Sequence, residues 1–161
     1  MKLSFVIPCY GSEHTLRIVV NGIRAVMRTQ PDYEYEVILV NDCSPDGVNG
    51  VIAALVDEDS HITGIELARN YGQHAATMAG YRACTGDIVI TLDDDGESPV
   101  KDTFRLVEKI LDGEDIVQAK YPVEKKNCLR KLGSFMNNYM MTTLIGKPKD
   151  LVISNFSAIS V

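Results

Sequence analysis

An α/β fold, with an open and mostly parallel sheet covered by helices on both faces, is predicted by three features of the sequence. Short runs rich in Val and Ile alternate with longer runs of helical spacing, the helical runs carry an apolar stripe, and polar loops follow the strand-like runs. The strand-like runs are Leu3–Pro8, Tyr35–Asn41, Ile62–Leu67, Asp87–Leu92 and Asp115–Ala119. The first helix places Leu16, Val19, Val20, Ile23, Val26 and Met27 on one stripe. The second and third, about Gly47–Asp57 and His74–Cys84, are less regular but apolar, and the fourth aligns Val100, Phe104, Val107, Ile110 and Leu111. Strand-helix alternation builds parallel crossovers, and their right-handed return covers the sheet. Ligands in such folds gather at the carboxyl ends of the strands.

The 161 residues, 45% hydrophobic and 24% charged, suit one domain with a substantial core. A net charge of −6 argues against binding nucleic acid or anionic membrane through overall charge. Cys9, Cys43, Cys84 and Cys128 form no C-x-x-C pair, which suits reduced thiols and a cytoplasmic location. No signal-peptide pattern precedes the first strand, and no apolar run reaches the about 18 residues of a membrane helix. The stretch from Leu151 to Val161 stops in mid-pattern, so the chain is expected to be a piece of a longer protein, with any membrane-associated segment beyond residue 161.

Chemistry concentrates where Ile88-Val89-Ile90-Thr91-Leu92 runs into Asp93-Asp94-Asp95-Gly96-Glu97. In an extended chain Asp93 and Asp95 share a face while Asp94 points elsewhere. Two carboxylates about 6 Å apart repel by about 3 kcal/mol at an effective dielectric near 20, a cost that a divalent cation reverses. Hard oxygen donors favour Mg²⁺ or Mn²⁺. An acidic run alone is as readily a solvated loop or a helix cap, so the metal reading rests on the rest of the chain.

The loop from Asp42 to Gly47 has ordinary turn composition, and it also sets Asp42 at a strand tip, where an acidic residue can accept from a base N–H or a ribose hydroxyl. Neither G-x-G-x-x-G nor a P-loop is present. Arg69 and Gln73 precede the third helix and are candidates for a diphosphate. The basic stretch from Lys120 to Lys131 reads as a solvated loop or as cations for phosphate groups, with Lys120, Arg130 and Lys131 as the candidates. His14 and His61 have no partner evident in sequence.

Five segments in this order resemble the inverting family 2 glycosyltransferases with the GT-A fold. They are Phe5-Val6-Ile7-Pro8-Cys9-Tyr10 with Glu13, the run from Glu36 to Gly47, the run from Arg69 to Ala76, Gly86-Asp87-Ile88-Val89, and Leu92-Asp93-Asp94-Asp95. The third segment and Asn155-Phe156 are most similar to the branch that acts on dolichyl or undecaprenyl phosphate. The resemblance implies a Rossmann-like GT-A domain over residues 1–161, cut short at its C-terminal end. It implies that Pro8, Tyr10 and Asp42 hold base and ribose, and that Asp93 and Asp95 form a D-x-D metal site under the diphosphate. Glu97 stands where the branch usually has a metal-binding Gln, so Asp93, Asp95 and Glu97 are the catalytic candidates. Glu13, Arg69, Gln73 and Asp94 complete the donor-binding set.

The chain departs from the branch in three places. Tyr10-Gly11-Ser12 replaces Tyr-Asn-Glu, Gly96-Glu97-Ser98-Pro99-Val100 replaces Leu-Gln-x-Pro-Pro, and Lys120 or Tyr121 stands for an Arg, while Arg130-Lys131 matches a later basic pair. The expected activity is transfer of a sugar from a nucleotide-diphosphate sugar, UDP first, to a polyprenyl phosphate or a saccharide hydroxyl, at the cytoplasmic face of a membrane. The alternative is a nucleotide-sugar-binding domain without transfer.

Overall fold

Strand β1 (Lys2–Cys9) runs through the middle of a six-stranded sheet, with Leu3, Phe5, Val6 and Ile7 fully buried, as a strand covered on both faces requires. The computed structural model describes residues 1–119 and 155–161, which apart from Ala119 form one unit. Helix α1 (Leu16–Met27) leads to β2 (Glu34–Asn41), α2 (Val48–Glu58) to β3 (Ile62–Glu66), and α3 (Gln73–Ala83) to β4 (Ile88–Thr91). A 3₁₀ turn at Val100–Asp102 opens into α4 (Thr103–Leu111), followed by β5 (Ile116–Gln118) and, at the end of the chain, β6 (Ser157–Ser160). No helix among the described residues is long and apolar enough to cross a membrane.

The strand order is β3-β2-β1-β4-β6-β5. β1 pairs parallel with β2 and β4, β2 pairs parallel with β3, and β6 pairs antiparallel with both β4 and β5. The five strands read from the sequence are present within a residue or two of their expected ends. β6 was not anticipated: Ser157-Ala158-Ile159-Ser160 is the one strand that runs against the others.

The order explains where the helices lie. The chain builds outward from β1 through β2 to β3, then returns across β1 to lay down β4 on its other side. With right-handed crossovers this reversal sends α3 to the face opposite α2. On the α3 face Val6, Ile38, Val40, Ala76 and Val89 form a core with Ile65, Leu67 and Ala79 packed on it. On the other face Gly64, which alternates with Ile65, meets Ile52 and Val56 of α2. Helix α1 packs beside α2 and the 3₁₀ turn.

Pro8 governs the gap between β1 and β4. The Val6 carbonyl accepts from the Leu92 N–H at 3.2 Å, so even-numbered backbone groups of β1 face β4. Pro8 has the same parity and no N–H to offer, and the β1–β4 register stops at Val6 opposite Thr91. The β1–β2 register continues to Cys9 opposite Asn41. The two central strands therefore part beyond Val6 while β1 and β2 stay together.

At the opposite edge, Glu36 ties three segments. It accepts from Ser4 Oγ at 2.6 Å, from Thr85 N at 2.7 Å and from Lys2 Nζ at 2.7 Å. Burial alone would raise its carboxyl, but Lys2, Ser4 and Thr85 outweigh it and hold the group at about 2. His61, whose partner is not evident in the sequence, stacks on Tyr35 with centroids 4.6 Å apart and meets Asp59 Oδ1 through Nδ1 at 2.8 Å.

Because the Glu36 carboxyl is depressed from 4.5, its stabilisation is complete above pH 4.5 and is lost as pH falls toward 2. Glu36→Gln is expected to cost about 1–3 kcal/mol in urea unfolding at pH 7, and the gap to wild type should narrow as pH drops through that window. Packing predicts a contrast between two helical glycines. A Cβ at Gly80 would lie 2.4 Å from Val6 Cγ1, whereas one at Gly50 meets nothing within 4 Å. Gly50→Ala should stabilise by up to about 1 kcal/mol, and Gly80→Ala should destabilise by about 1–2 kcal/mol, overpacking outweighing propensity. Thermal or urea unfolding of the pair checks the opposite signs.

Candidate functional site

The tips of β1, β2 and β4 and the loop entering α3 enclose a cleft of about 400 Å³ at the carboxyl edge of the sheet. Its walls are Pro8, Cys9 and Tyr10 from β1, Asp42 after β2, Asn70, Gly72 and Gln73 before α3, and Asp93, Asp94 and Asp95 after β4. This is the point where the strand order reverses, the usual place for a ligand in an open α/β sheet.

Asp42 is 3% exposed and accepts from Tyr71 N and Gly72 N, both at 2.8 Å. It therefore anchors the loop entering α3 to the tip of β2. Gly72 makes this possible with φ +89°, a conformation that suits glycine, and Cys43 at φ 52° turns the chain away from the strand. A carboxylate has about four acceptor positions, and the described residues take two of those on Asp42. Tyr10 is 53% exposed and presents an aromatic ring at the rim of the cleft.

The acidic run departs from simple alternation. β4 ends at Thr91 and the chain bends through Asp94 to Gly96, so Asp94 faces the same cleft as its neighbours instead of pointing away. It accepts from Tyr10 N at 2.9 Å and so ties the β1 and β4 loops. Asp95 Oδ1 accepts from Glu97 N at 2.8 Å. Asp93 Oδ1 accepts from Gln73 Nε2 at 2.8 Å, and Asn155 Nδ2 reaches Oδ1 at 3.0 Å and Oδ2 at 3.2 Å. Burial raises the Asp93 carboxyl, the charges of Asp95 and Asp94 add to the effect, and the two amides oppose it.

Three candidates lie outside the cleft wall, each held by a local partner. Glu13 accepts from Gly47 N at 3.0 Å while its own N–H donates to Asp46 at 2.9 Å, joining the loops after β1 and β2. Arg69 lies over the Tyr71 ring, 4.7 Å from its centroid. Glu97 meets Asp95 through its backbone N–H among the described residues. Lys120, Arg130 and Lys131 lie outside the described residues. Asn155 is the site residue that reading the sequence did not single out. Its signal was the Asn155-Phe156 pair, but only the return of β6 beside β4 brings it to Asp93.

A second concavity of about 450 Å³ lies around Arg24, Arg28, Tyr35, Glu58, Asp59 and His61. Its acids are already matched: Glu58 by Arg17 at 2.8 Å, Asp59 by Arg24 at 2.8 Å and by His61. In the first cleft, no Lys or Arg among the described residues pairs with Asp93, Asp94 or Asp95. No three His, Cys, Asp or Glu side chains among the described residues converge as a complete metal site. Two carboxylates in one cleft are nonetheless the complement that Mg²⁺ uses when substrate phosphates supply the remaining oxygens. The donor set therefore fits a hard divalent ion that arrives with a diphosphate.

The model of "Glycosyl transferase family 2" matches residues 4–158. An undecaprenyl-phosphate 4-deoxy-4-formamido-L-arabinose transferase of Yersinia pestis is 40% identical over 147 residues, covering 91% of this chain and 45% of the relative. The chain thus spans under half the length of such relatives. Among solved structures, glucosyl-3-phosphoglycerate synthase from Mycobacterium tuberculosis in complex with Mn²⁺ and UDP-glucose is similar with a TM-score of 0.71 at 19% identity, covering 99% of this chain and 56% of that one. A mannosyltransferase from Pyrobaculum calidifontis in complex with GDP-mannose and Mn²⁺ gives a TM-score of 0.67 at 18% identity, over 98% of this chain and 44% of that one. These likenesses agree with the α/β architecture, and the family match with the motifs on the strand tips: this chain belongs to glycosyl transferase family 2.

Proposed function

We propose that the chain forms the donor-binding part of a metal-dependent inverting transferase that moves a sugar from a nucleotide-diphosphate sugar to undecaprenyl phosphate or a similar polyprenyl phosphate. The observation that carries the reading is a cleft walled by four carboxylates, those of Asp42, Asp93, Asp94 and Asp95, with no matching cation among the described residues, at the reversal of the strand order. A nucleotide diphosphate with its divalent ion is the complementary ligand. The Yersinia relative's polyprenyl-phosphate name supports the acceptor class, and the Mn²⁺ complexes of the two structural neighbours support the metal.

In this reading Tyr10 and Pro8 flank the base, and Asp42 offers acceptor positions to base or ribose while holding the Tyr71–Gly72 backbone. Asp93 and Asp95 would hold Mg²⁺ or Mn²⁺. Bound there, the ion neutralises the charge that builds on the departing diphosphate. The rest of the chemistry needs little from the protein. A lipid phosphate arrives ionised and attacks the anomeric carbon directly, so no general base is required. Lys120, Arg130 and Lys131 are proposed as its phosphate partners.

Thermal unfolding against a panel of nucleoside diphosphates, with and without Mn²⁺, tests this. UDP with Mn²⁺ at about 100 times its Kd should stabilise the protein by about 2.7 kcal/mol. Asp95→Ala should abolish the metal-dependent part and leave the unliganded Tm near wild type. Absence of a metal-dependent response to every nucleotide would remove the basis of the reading. Transfer of radiolabelled sugar to undecaprenyl phosphate, but not to saccharide acceptors, checks the acceptor class in the whole protein.

A further inference from the structure

Two neutral amides grip the carboxylate of Asp93 from different parts of the fold. Gln73, the first residue of α3, donates to Oδ1 at 2.8 Å. Asn155, two residues before β6, bridges Oδ1 at 3.0 Å and Oδ2 at 3.2 Å. Both oxygens are therefore held, and the plane of the group is fixed by donors that reach it from α3 and from the residues leading into β6.

We propose that Asn155 and Gln73 are positioning residues, which orient Asp93 for a divalent cation while leaving its negative charge intact. This rests on the donor-binding reading above. The choice of amides matters. A Lys or Arg in either place would satisfy the oxygens as well, but would also neutralise the carboxylate and repel an incoming cation. An amide orients without neutralising. Gln73, a candidate for the diphosphate, is thereby assigned a role through Asp93 as well. Partners that orient ligating groups typically contribute a factor of about 10–100 to metal affinity.

Mn²⁺ binding to the whole protein, followed by electron paramagnetic resonance and by calorimetry with and without UDP, provides the test. Asn155→Ala and Gln73→Ala should each weaken Mn²⁺ about tenfold or more, and Asn155→Ala, which lies outside the cleft wall, should do so with UDP affinity in the absence of metal and the unliganded Tm near wild type. Asn155→Ser, which keeps a donor of shorter reach, should recover part of the loss, and Asn155→Lys should weaken Mn²⁺ more than Asn155→Ala does. A general loss of structure would instead lower the Tm and weaken UDP along with the metal. Wild-type Mn²⁺ binding that the alanine variants retain in full overturns the positioning role and leaves the donor-binding reading standing. Failure of the wild type to bind Mn²⁺, with or without UDP, overturns both.

Discussion

A missing N–H at the centre of the sheet sets the geometry of the site. Had residue 8 been able to donate toward β4, the ladder that ends at Val6 and Thr91 could have continued to the tips and closed the space where the cleft lies. Proline prevents that on one side only, since the odd-numbered groups of β1 keep their bonds to β2 as far as Asn41. The reversal of strand order acts at the same place, sending α3 to the far face and leaving its entry loop beside the opening.

The opening is then braced by side chains bonded to backbone. Asp42 fixes the loop before α3, Asp94 fixes Tyr10, and Glu13 and Asp46 join the loops after β1 and β2. Acidic side chains suit this task because strand tips and helix starts present unpaired N–H groups. Asp42 and Asp94 also line the cleft, where with Asp93 and Asp95 they gather negative charge that no Lys or Arg among the described residues pairs with. One set of acids therefore serves both architecture and electrostatics.

Much of this was legible in the sequence. Runs such as Phe5-Val6-Ile7 and Val37-Ile38-Leu39-Val40 have the unbroken apolar character of strands buried on two faces, and α1 and α4 carry clear stripes. The meeting of four loops followed from the alternation itself. What escaped was set by tertiary placement. Ser157-Ala158-Ile159-Ser160 is half polar and only four residues long, so nothing local marks it as a strand until β4 and β5 flank it. Alternation wrongly pointed Asp94 away from its neighbours, although it was named for the donor-binding set, because that rule holds only while the chain is extended, and here extension ends at Thr91. Glu13 and Glu97 have side-chain or backbone partners a sequence does not display.

The pairing of β5 with β6 has a consequence for chain length. Gln118 and Ser157 are cross-strand partners, so the chain leaves the sheet and re-enters it at adjacent points. Closing a loop between fixed neighbours grows costlier only slowly with length. A change in the number of residues between these two points therefore costs the sheet little closure entropy.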